Sequence, residues 1–293
     1  MGPSYSSRPK SVLITGCSAG GIGSALAFSF QRRGYYVLAT ARNVSKIDPA
    51  LTSLPSVTTI KLDVTSDDSI AAAVVAAREA LASEKHAGLG YLVNNSGVGT
   101  VMPWLDMEMN EARRLFETNF WGVLMVTKAF MPLLIEGQGT LVNIASVAAK
   151  AWNPYETIYN ASKAAIQQWG DTLRLELEPL GVGVVSVMAG MIQSQWYSNS
   201  VPPLQLPEDS YYQPVLKNIQ GSVTGVANKE SGTPPDVFAE TVVKQLVDGK
   251  TGKIWAGTLS TLIWTVGWLP DWVSDYILRD RSGLGGMKKL KNV

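Results

Sequence analysis

Short apolar runs alternate with longer stretches in which apolar residues return every three or four positions, and this rhythm holds over most of the chain. The runs at 11–15, 36–40, 58–62, 90–94, 140–145, 183–188 and 253–255 carry little polar alternation, and most are rich in Val, Ile and Leu. That composition predicts strands buried on both faces, as in a parallel sheet covered by helices. The stretches near 22–33, 67–83, 108–135, 158–179 and 235–248 have the spacing of helices with one apolar face. Repeated strand-then-helix order with right-handed crossovers predicts an α/β fold, a doubly wound parallel sheet in three α/β/α layers. No repeat interrupts the rhythm and no polar linker precedes about residue 195, so one domain is expected.

Two regions break the pattern. Residues 195–234 hold five prolines among Tyr, Asn and Ser, and a connection that long between a strand and a helix reads as a substrate lid. Residues 254–270 carry no charge, and four of the nine tryptophans fall within 255–272. This hydrophobic C-terminal extension is shorter than the ~20 apolar residues of a membrane span. Three readings of it stay open: a peripheral membrane contact beside the basic "MKKLK", a flap over the pocket, or a subunit contact. The expected organisation is a disordered leader at 1–9, a catalytic domain at 10–257 and an extension of that domain at 258–293.

Composition removes several classes of function. The 293 residues carry 25 Lys and Arg against 24 Asp and Glu, so no basic excess marks a nucleic-acid partner. Cys17 and His86 are the only residues of their types, which leaves no zinc site of the usual kind, and no metal is expected. The leader lacks the apolar core of a secretory signal. It fits the loose Met-Gly myristoylation pattern through Ser6, but Pro3 follows the glycine directly and a plain polar leader is the better reading. The expected setting is reducing, intracellular and cytoplasmic; endoplasmic-reticulum or lipid-droplet surfaces enter if the extension meets lipid.

Candidate chemistry begins in "SVLITGCSAGGIGSALAFSF", where an apolar run passes through a glycine-rich turn into a helix of small residues. Backbone N–H groups of such a turn approach a pyrophosphate closely, with the positive helix end behind them, as in a Rossmann-type fold. Gly16, Ser18, Gly21, Ile22 and Gly23 are the candidate cradle. A site for NAD usually has Asp or Glu at the end of the second strand to bind the ribose hydroxyls. Here "YVLATARN" places Ala41 there and Arg42 next, and Arg42 can pair with a 2′-phosphate, so NADP(H) is the expected cofactor.

Further along, Ser146 ends a strand, Tyr159 follows it, and Lys163 lies one helical turn beyond Tyr159. Positions i and i+4 share a helix face, so phenol and ammonium project into one cleft. A free phenol ionises near pH ~10, too high for efficient proton exchange at neutrality, and a neighbouring ammonium favours the phenolate.

With "TGCSAGGIG", "LDV" at 62–64, "NNSG" at 94–97, Asn119 in "ETNFWG", "YNASK" at 159–163 and "AGMIQS" at 189–194, the chain resembles the short-chain dehydrogenase/reductase family over roughly 10–257. The resemblance implies a catalytic tetrad of Asn119, Ser146, Tyr159 and Lys163, with Asn119 holding a relay water. It implies an adenine side at Asp63 and Val64, cofactor contacts from Asn95, Gly97, Tyr159 and Lys163, and a nicotinamide flanked by Gly190, Ile192 and Ser194. The implied function is NADPH-dependent reduction of a ketone or aldehyde on a hydrophobic small molecule, in a homo-oligomer. The turn, "YNASKAAI" and the hydrophobic tail resemble the fungal branch of 1-acyldihydroxyacetone-phosphate reductases, whose members also work in secondary metabolism. A polycyclic or aromatic substrate therefore stays open, and so does reuse of the fold as a non-redox NADP-binding scaffold.

Two departures from the family pattern stand out. Ala189-Gly190 replaces the usual Pro-Gly, which predicts a looser turn, and the first turn has one extra residue within 17–20. The widened turn is expected to wrap the 2′-phosphate with its backbone and Ser18. Trp152, Trp196, Tyr197, Tyr211 and Tyr212 are candidate pocket walls, and Lys217 and Lys229 are the only basic residues of the lid, too few to suggest an anion pocket.

Overall fold

The computed structural model describes residues 9–196, 204–223, 225 and 230–287. Residues 1–8 of the expected leader, Tyr197, Lys229 and the lysines of "MKKLK" lie outside these. Seven parallel strands form one sheet: β1 (Ser11–Ile14), β2 (Tyr36–Ala41), β3 (Val57–Lys61), β4 (Tyr91–Asn94), β5 (Thr140–Ile144), β6 (Gly183–Ala189) and β7 (Gly252–Ala256). Their order is β3-β2-β1-β4-β5-β6-β7, with Ile14 registered against Ala39 on one side and Val93 on the other. Every residue of β1, β2, β4 and β5 is buried, as the unbroken apolar runs require.

Side chains alternate between two cores. Val12, Ile14, Val37, Val93 and Val142 face α1 (Ile22–Arg32), whose Phe30 is fully buried. Leu13, Leu38, Leu92 and Leu141 face the other layer. The short α2 (Pro49–Thr52) follows β2, and the other layer is built largely from α3 (Asp67–Ser83). Burying each such large apolar side chain contributes about 1.5–3 kcal/mol.

The helix expected over 108–135 is broken. It consists of α4 (Met109–Phe116), a π-helical turn at Glu117–Trp121 and α5 (Gly122–Glu136). Asn119 is the buried residue of that turn, and a Cβ on Gly122 would meet Val64 O at 2.8 Å. Tertiary contact, not local preference, forces the wider turn. By length and composition Met109–Glu136 could cross a membrane, but Val126, Phe130, Leu133 and Leu134 are buried against the sheet, and it is a core helix.

Helix α6 (Thr157–Leu177) completes that layer. The lid is not a plain loop: it holds α7 (Leu216–Val223), with Ile219 buried. Helix α8 (Pro235–Val247) packs beside α1, where Ser29 Oγ donates to Glu240 (3.0 Å) and Arg33 pairs with the same carboxylate. The extension forms α9 (Ser260–Val266) and α10 (Asp271–Arg281).

A third core joins these last pieces. Val101, Tyr155, Val215 and Ile219 are buried together, with Tyr212, Leu284 and Met287 against them. Tyr155 Oη donates to Ser282 O (2.8 Å), and Trp152 Nε1 donates to Asp275 Oδ1 (2.9 Å). Lid, extension and the segment before α6 are thereby stitched into one cap.

Candidate active site

The chain winds outward in both directions from β1, so a crevice opens beyond the carboxyl ends of β1 and β4. A cavity of about 1260 Å³ occupies this region and runs on beneath the cap. The glycine turn is tied to both neighbouring strands: Thr15 N donates to Val93 O (3.0 Å) and Cys17 N to Thr40 O (2.8 Å). Asn95 Nδ2 adds bonds to the carbonyls of Thr15 (2.8 Å) and Gly16 (3.1 Å). Burial pushes the Cys17 thiol up to about 12, so this side chain is packing rather than chemistry.

Helix α1 starts at an N-cap Gly21 with no side-chain cap and no acidic residue in its first turn. Its free N–H groups and dipole suit an anion. Gly16, Ser18, Gly21 and Ile22 line the cavity there. Gly23 does not; a Cβ on it would stand 2.4 Å from Gly16 O, so it sets the close packing of helix on turn. The cradle fits the pyrophosphate of a dinucleotide. Arg42, Asp63, Val64, Asn95 and Gly97 line the same cavity. Asp63 Oδ1 is partly engaged by Thr65 N (3.0 Å) and Oγ1 (2.8 Å).

At the other end Ser146, Tyr159 and Lys163 meet on the cavity wall with Gly190, Ile192 and Ser194. Ser146 Oγ accepts from Ala148 N (3.1 Å), which leaves its O–H to donate. Lys163 Nζ donates to Ile144 O (3.1 Å) and stands 5.7 Å over the Tyr159 ring, which also packs against Trp196 at 5.3 Å. Burial lowers the Lys163 pKa to about 8. Asn119 is not on the wall. Its Oδ1 accepts from Val98 N (2.8 Å), and its Nδ2 donates to Val98 O (2.8 Å) and Ser162 Oγ (3.2 Å). A relay water beside it is left the second lone pair of Oδ1 or the main chain. Lys163 Nζ and Asn119 Oδ1 converge on Gly97, at 3.6 and 3.4 Å from where its Cβ would be.

This order of cradle, serine, tyrosine and lysine on a seven-stranded sheet agrees with a family model described as short chain dehydrogenase, which matches residues 10–203. The chain belongs to the short-chain dehydrogenase/reductase family. It is 41% identical over 278 residues to short-chain dehydrogenase ptmH of Penicillium ochrochloron, covering 94% of this chain and 98% of that one. It is 36% identical over 266 residues to the NADPH-dependent 1-acyldihydroxyacetone phosphate reductase of Schizosaccharomyces pombe, covering 86% and 87%. A solved short-chain dehydrogenase from Streptomyces avermitilis matches with a TM-score of 0.74 at 26% identity, over 94% of this chain and 99% of its own. The protein is thus an oxidoreductase that works with a nicotinamide dinucleotide on a small molecule.

In this short-chain dehydrogenase/reductase the turn after β6 is not loosened by Ala189. Gly190 N donates to Ala256 O (2.8 Å), Met191 N to Thr258 O (2.9 Å) and Gln193 N to Thr233 O (2.9 Å). A Cβ on Gly190 would lie 2.1 Å from Thr258 O, so that close approach needs glycine. The widened first turn is likewise anchored: Ala19 N donates to Lys46 O (2.8 Å), which brings Ser18, Arg42 and Lys46 onto one stretch of wall.

Lys46 escaped the sequence reading, although its place four residues beyond Arg42 was a usable signal. Of the aromatic residues expected as walls, Trp152 and Trp196 line the cavity. Tyr212 instead joins the third core and Tyr211 is exposed. The apolar end is walled by Leu262, Ile263, Val266, Ile277 and Leu278 of the extension. Lys217 has company that the lid sequence did not show, because α10 brings Arg281 to the same cavity.

Proposed function

We propose that the enzyme uses NADP(H) to reduce a ketone or aldehyde on a hydrophobic substrate, with Tyr159 as acid/base. One observation carries this reading: a single cavity joins a cationic end at Arg42 and Lys46 to Ser146 and Tyr159, and then to the apolar wall of α9 and α10. When bound, the reduced nicotinamide supplies the hydride. Tyr159 gives its phenolic proton to the carbonyl oxygen as charge develops there, and the Ser146 hydroxyl donates to the same oxygen. Lys163, charged at neutral pH, favours the resulting phenolate through its place over the ring. Asn119 keeps Val98 and Gly97 beside Lys163. Arg42, Lys46 and Ser18 receive the 2′-phosphate, in keeping with the NADPH dependence of the Schizosaccharomyces pombe relative.

An NADPH-consumption screen tests this reading, setting acyl-dihydroxyacetone phosphate against polycyclic and aromatic ketones. Turnover by at least one ketone is expected, and Arg42→Ala combined with Lys46→Ala lowers the NADPH-over-NADH preference by about 10-fold or more, since charge-assisted bonds to phosphate contribute roughly 1.5–3 kcal/mol. An unchanged preference assigns the phosphate to other groups.

The substrate has two readings. Lys217 and Arg281 favour an anionic amphiphile like the one named for the Schizosaccharomyces pombe relative, whereas the apolar wall and Trp152 favour an uncharged polycyclic or aromatic ketone of secondary metabolism.

The cap carries a further part of the proposal. Trp268, Trp272 and Tyr276 are 79%, 71% and 77% exposed on the side of the extension turned away from the cavity. Such amphipathic rings suit a lipid interface, which supports the reading of a cytoplasmic enzyme that contacts endoplasmic-reticulum or lipid-droplet surfaces. Flotation with anionic vesicles is expected to carry the wild type, and Trp268→Ser with Trp272→Ser to release it. A homo-oligomer built on this face would instead dissociate in that variant during gel filtration.

A further inference from the structure

Glu156 takes no part in the proton steps above, yet it lies three residues before the acid/base tyrosine and lines the same cavity. Among the described residues on that wall the other carboxylate is Asp63, far along the chain at the adenosine end. A half-buried carboxyl group on a cavity wall calls for a partner.

The local backbone explains how it gets there. Tyr155 has a left-handed conformation, φ +69°, which a bulky residue rarely adopts. Met102 N donates to Tyr155 O (2.7 Å), Tyr155 Oη donates to Ser282 O (2.8 Å), and the ring packs edge-on against Tyr212 at 6.3 Å. These contacts hold the reversed turn that starts α6 at Glu156. Glu156 is the N-cap of that helix, but its carboxyl makes no cap bond. Its donor among the described residues is Asn153 Nδ2, at a long 3.4 Å.

The cations on the cavity wall near this end are Lys150, Lys163, Lys217 and Arg281, and among the described residues none forms an ion pair with Glu156. Tyr159 and Asn160 follow it on α6, and Asn160 N donates to its carbonyl (2.8 Å). Burial raises the carboxyl pKa to about 7.

We propose that Glu156 is a specificity-determining residue that accepts a hydrogen bond from a hydroxyl or amine of the substrate, a few atoms from the reacting carbonyl. Glu156 caps the helix that carries Tyr159 three residues on, and both residues line the cavity, which sets that spacing. The preferred substrate is then a hydrophobic hydroxy- or aminoketone. This assignment rests on the reading of Tyr159 as acid/base and narrows the substrate class within it.

The test compares wild type, Glu156→Gln and Glu156→Leu with acetophenone, α-hydroxyacetophenone and β-hydroxypropiophenone, following NADPH. Wild type is expected to favour a hydroxyketone over acetophenone by about 10- to 100-fold in kcat/KM, the usual margin for a buried hydrogen bond to a charged group. Glu156→Leu removes that margin through KM, leaves acetophenone turnover within about 3-fold, and Glu156→Gln keeps part of the margin. The wild-type margin widens as pH rises through about 7, where the carboxyl ionises and accepts more strongly, and stays flat in Glu156→Gln.

A margin absent from wild type, or retained by Glu156→Leu, overturns the assignment. No NADPH consumption with any of the three ketones overturns the functional reading instead, and this assignment with it. Thermal unfolding gives a readout free of turnover. The folded pKa of about 7 lies above the ordinary 4.5, so the native state holds its proton longer, and stability falls as pH rises from about 4.5 to about 7 and stays lower above that. Glu156→Gln is therefore expected to gain Tm over wild type as pH rises from about 5 to about 8. A difference independent of pH would show that the carboxyl is not held in the cavity.

Discussion

Tyr159→Phe is expected to lower kcat by about 10³-fold or more while NADPH still binds, because general acid catalysis contributes roughly 10²–10⁴-fold. Phenylalanine keeps the ring that packs against Trp196 at 5.3 Å and lies beneath Lys163 at 5.7 Å. Only the oxygen is lost, so folding and the nucleotide cradle stay intact. Steady-state NADPH oxidation and NADPH fluorescence on binding separate the two effects. Turnover preserved in this variant would turn attention from redox chemistry to a binding role.

Lys163 gives the second large effect, and its sign follows from burial. The ordinary ammonium loses its proton near 10.5; here the pKa is lowered to about 8 by desolvation. The ammonium is present below that pH and lost above it. Reduction is expected to slow as pH rises through about 8. Lys163→Met lacks the charge at every pH and is expected to lose about 10²-fold or more in kcat, with no further inflection near pH 8. A wild-type rate that stays flat to pH 9, measured at saturating NADPH, would take the charge of Lys163 out of the mechanism.

The parts of this molecule visible in its sequence are those encoded locally. Strands buried on both faces leave unbroken apolar runs, and every expected strand is found within a residue at either end. The glycine turn and the Tyr159–Lys163 spacing are equally local, since one helical turn is enough to place both groups in a cleft.

What stayed hidden depends on distant contacts. The π-helical turn at Asn119 follows from Val98 and Val64, which lie far away in sequence. Glu156 looks like an ordinary helix-start acid until the left-handed Tyr155 turns it inward, and Ser282, which helps hold Tyr155, is more than a hundred residues downstream. The extension is hidden for another reason. Its one apolar sequence serves two faces, Leu262, Ile263 and Val266 toward the cavity and Trp268 and Trp272 outward, so composition could not separate a flap from a docking surface.

The cap's hydrogen bonds from Trp152 and Tyr155 bear on the timing of the catalytic cycle. Both residues belong to the segment that leads into the helix carrying Tyr159, and both reach into the extension at Asp275 and Ser282. A bulky ligand that lifts the extension has to break the same bonds that keep this segment in its strained form. The extension and the approach to Tyr159 are therefore tied to one another, and weakening either bond loosens both.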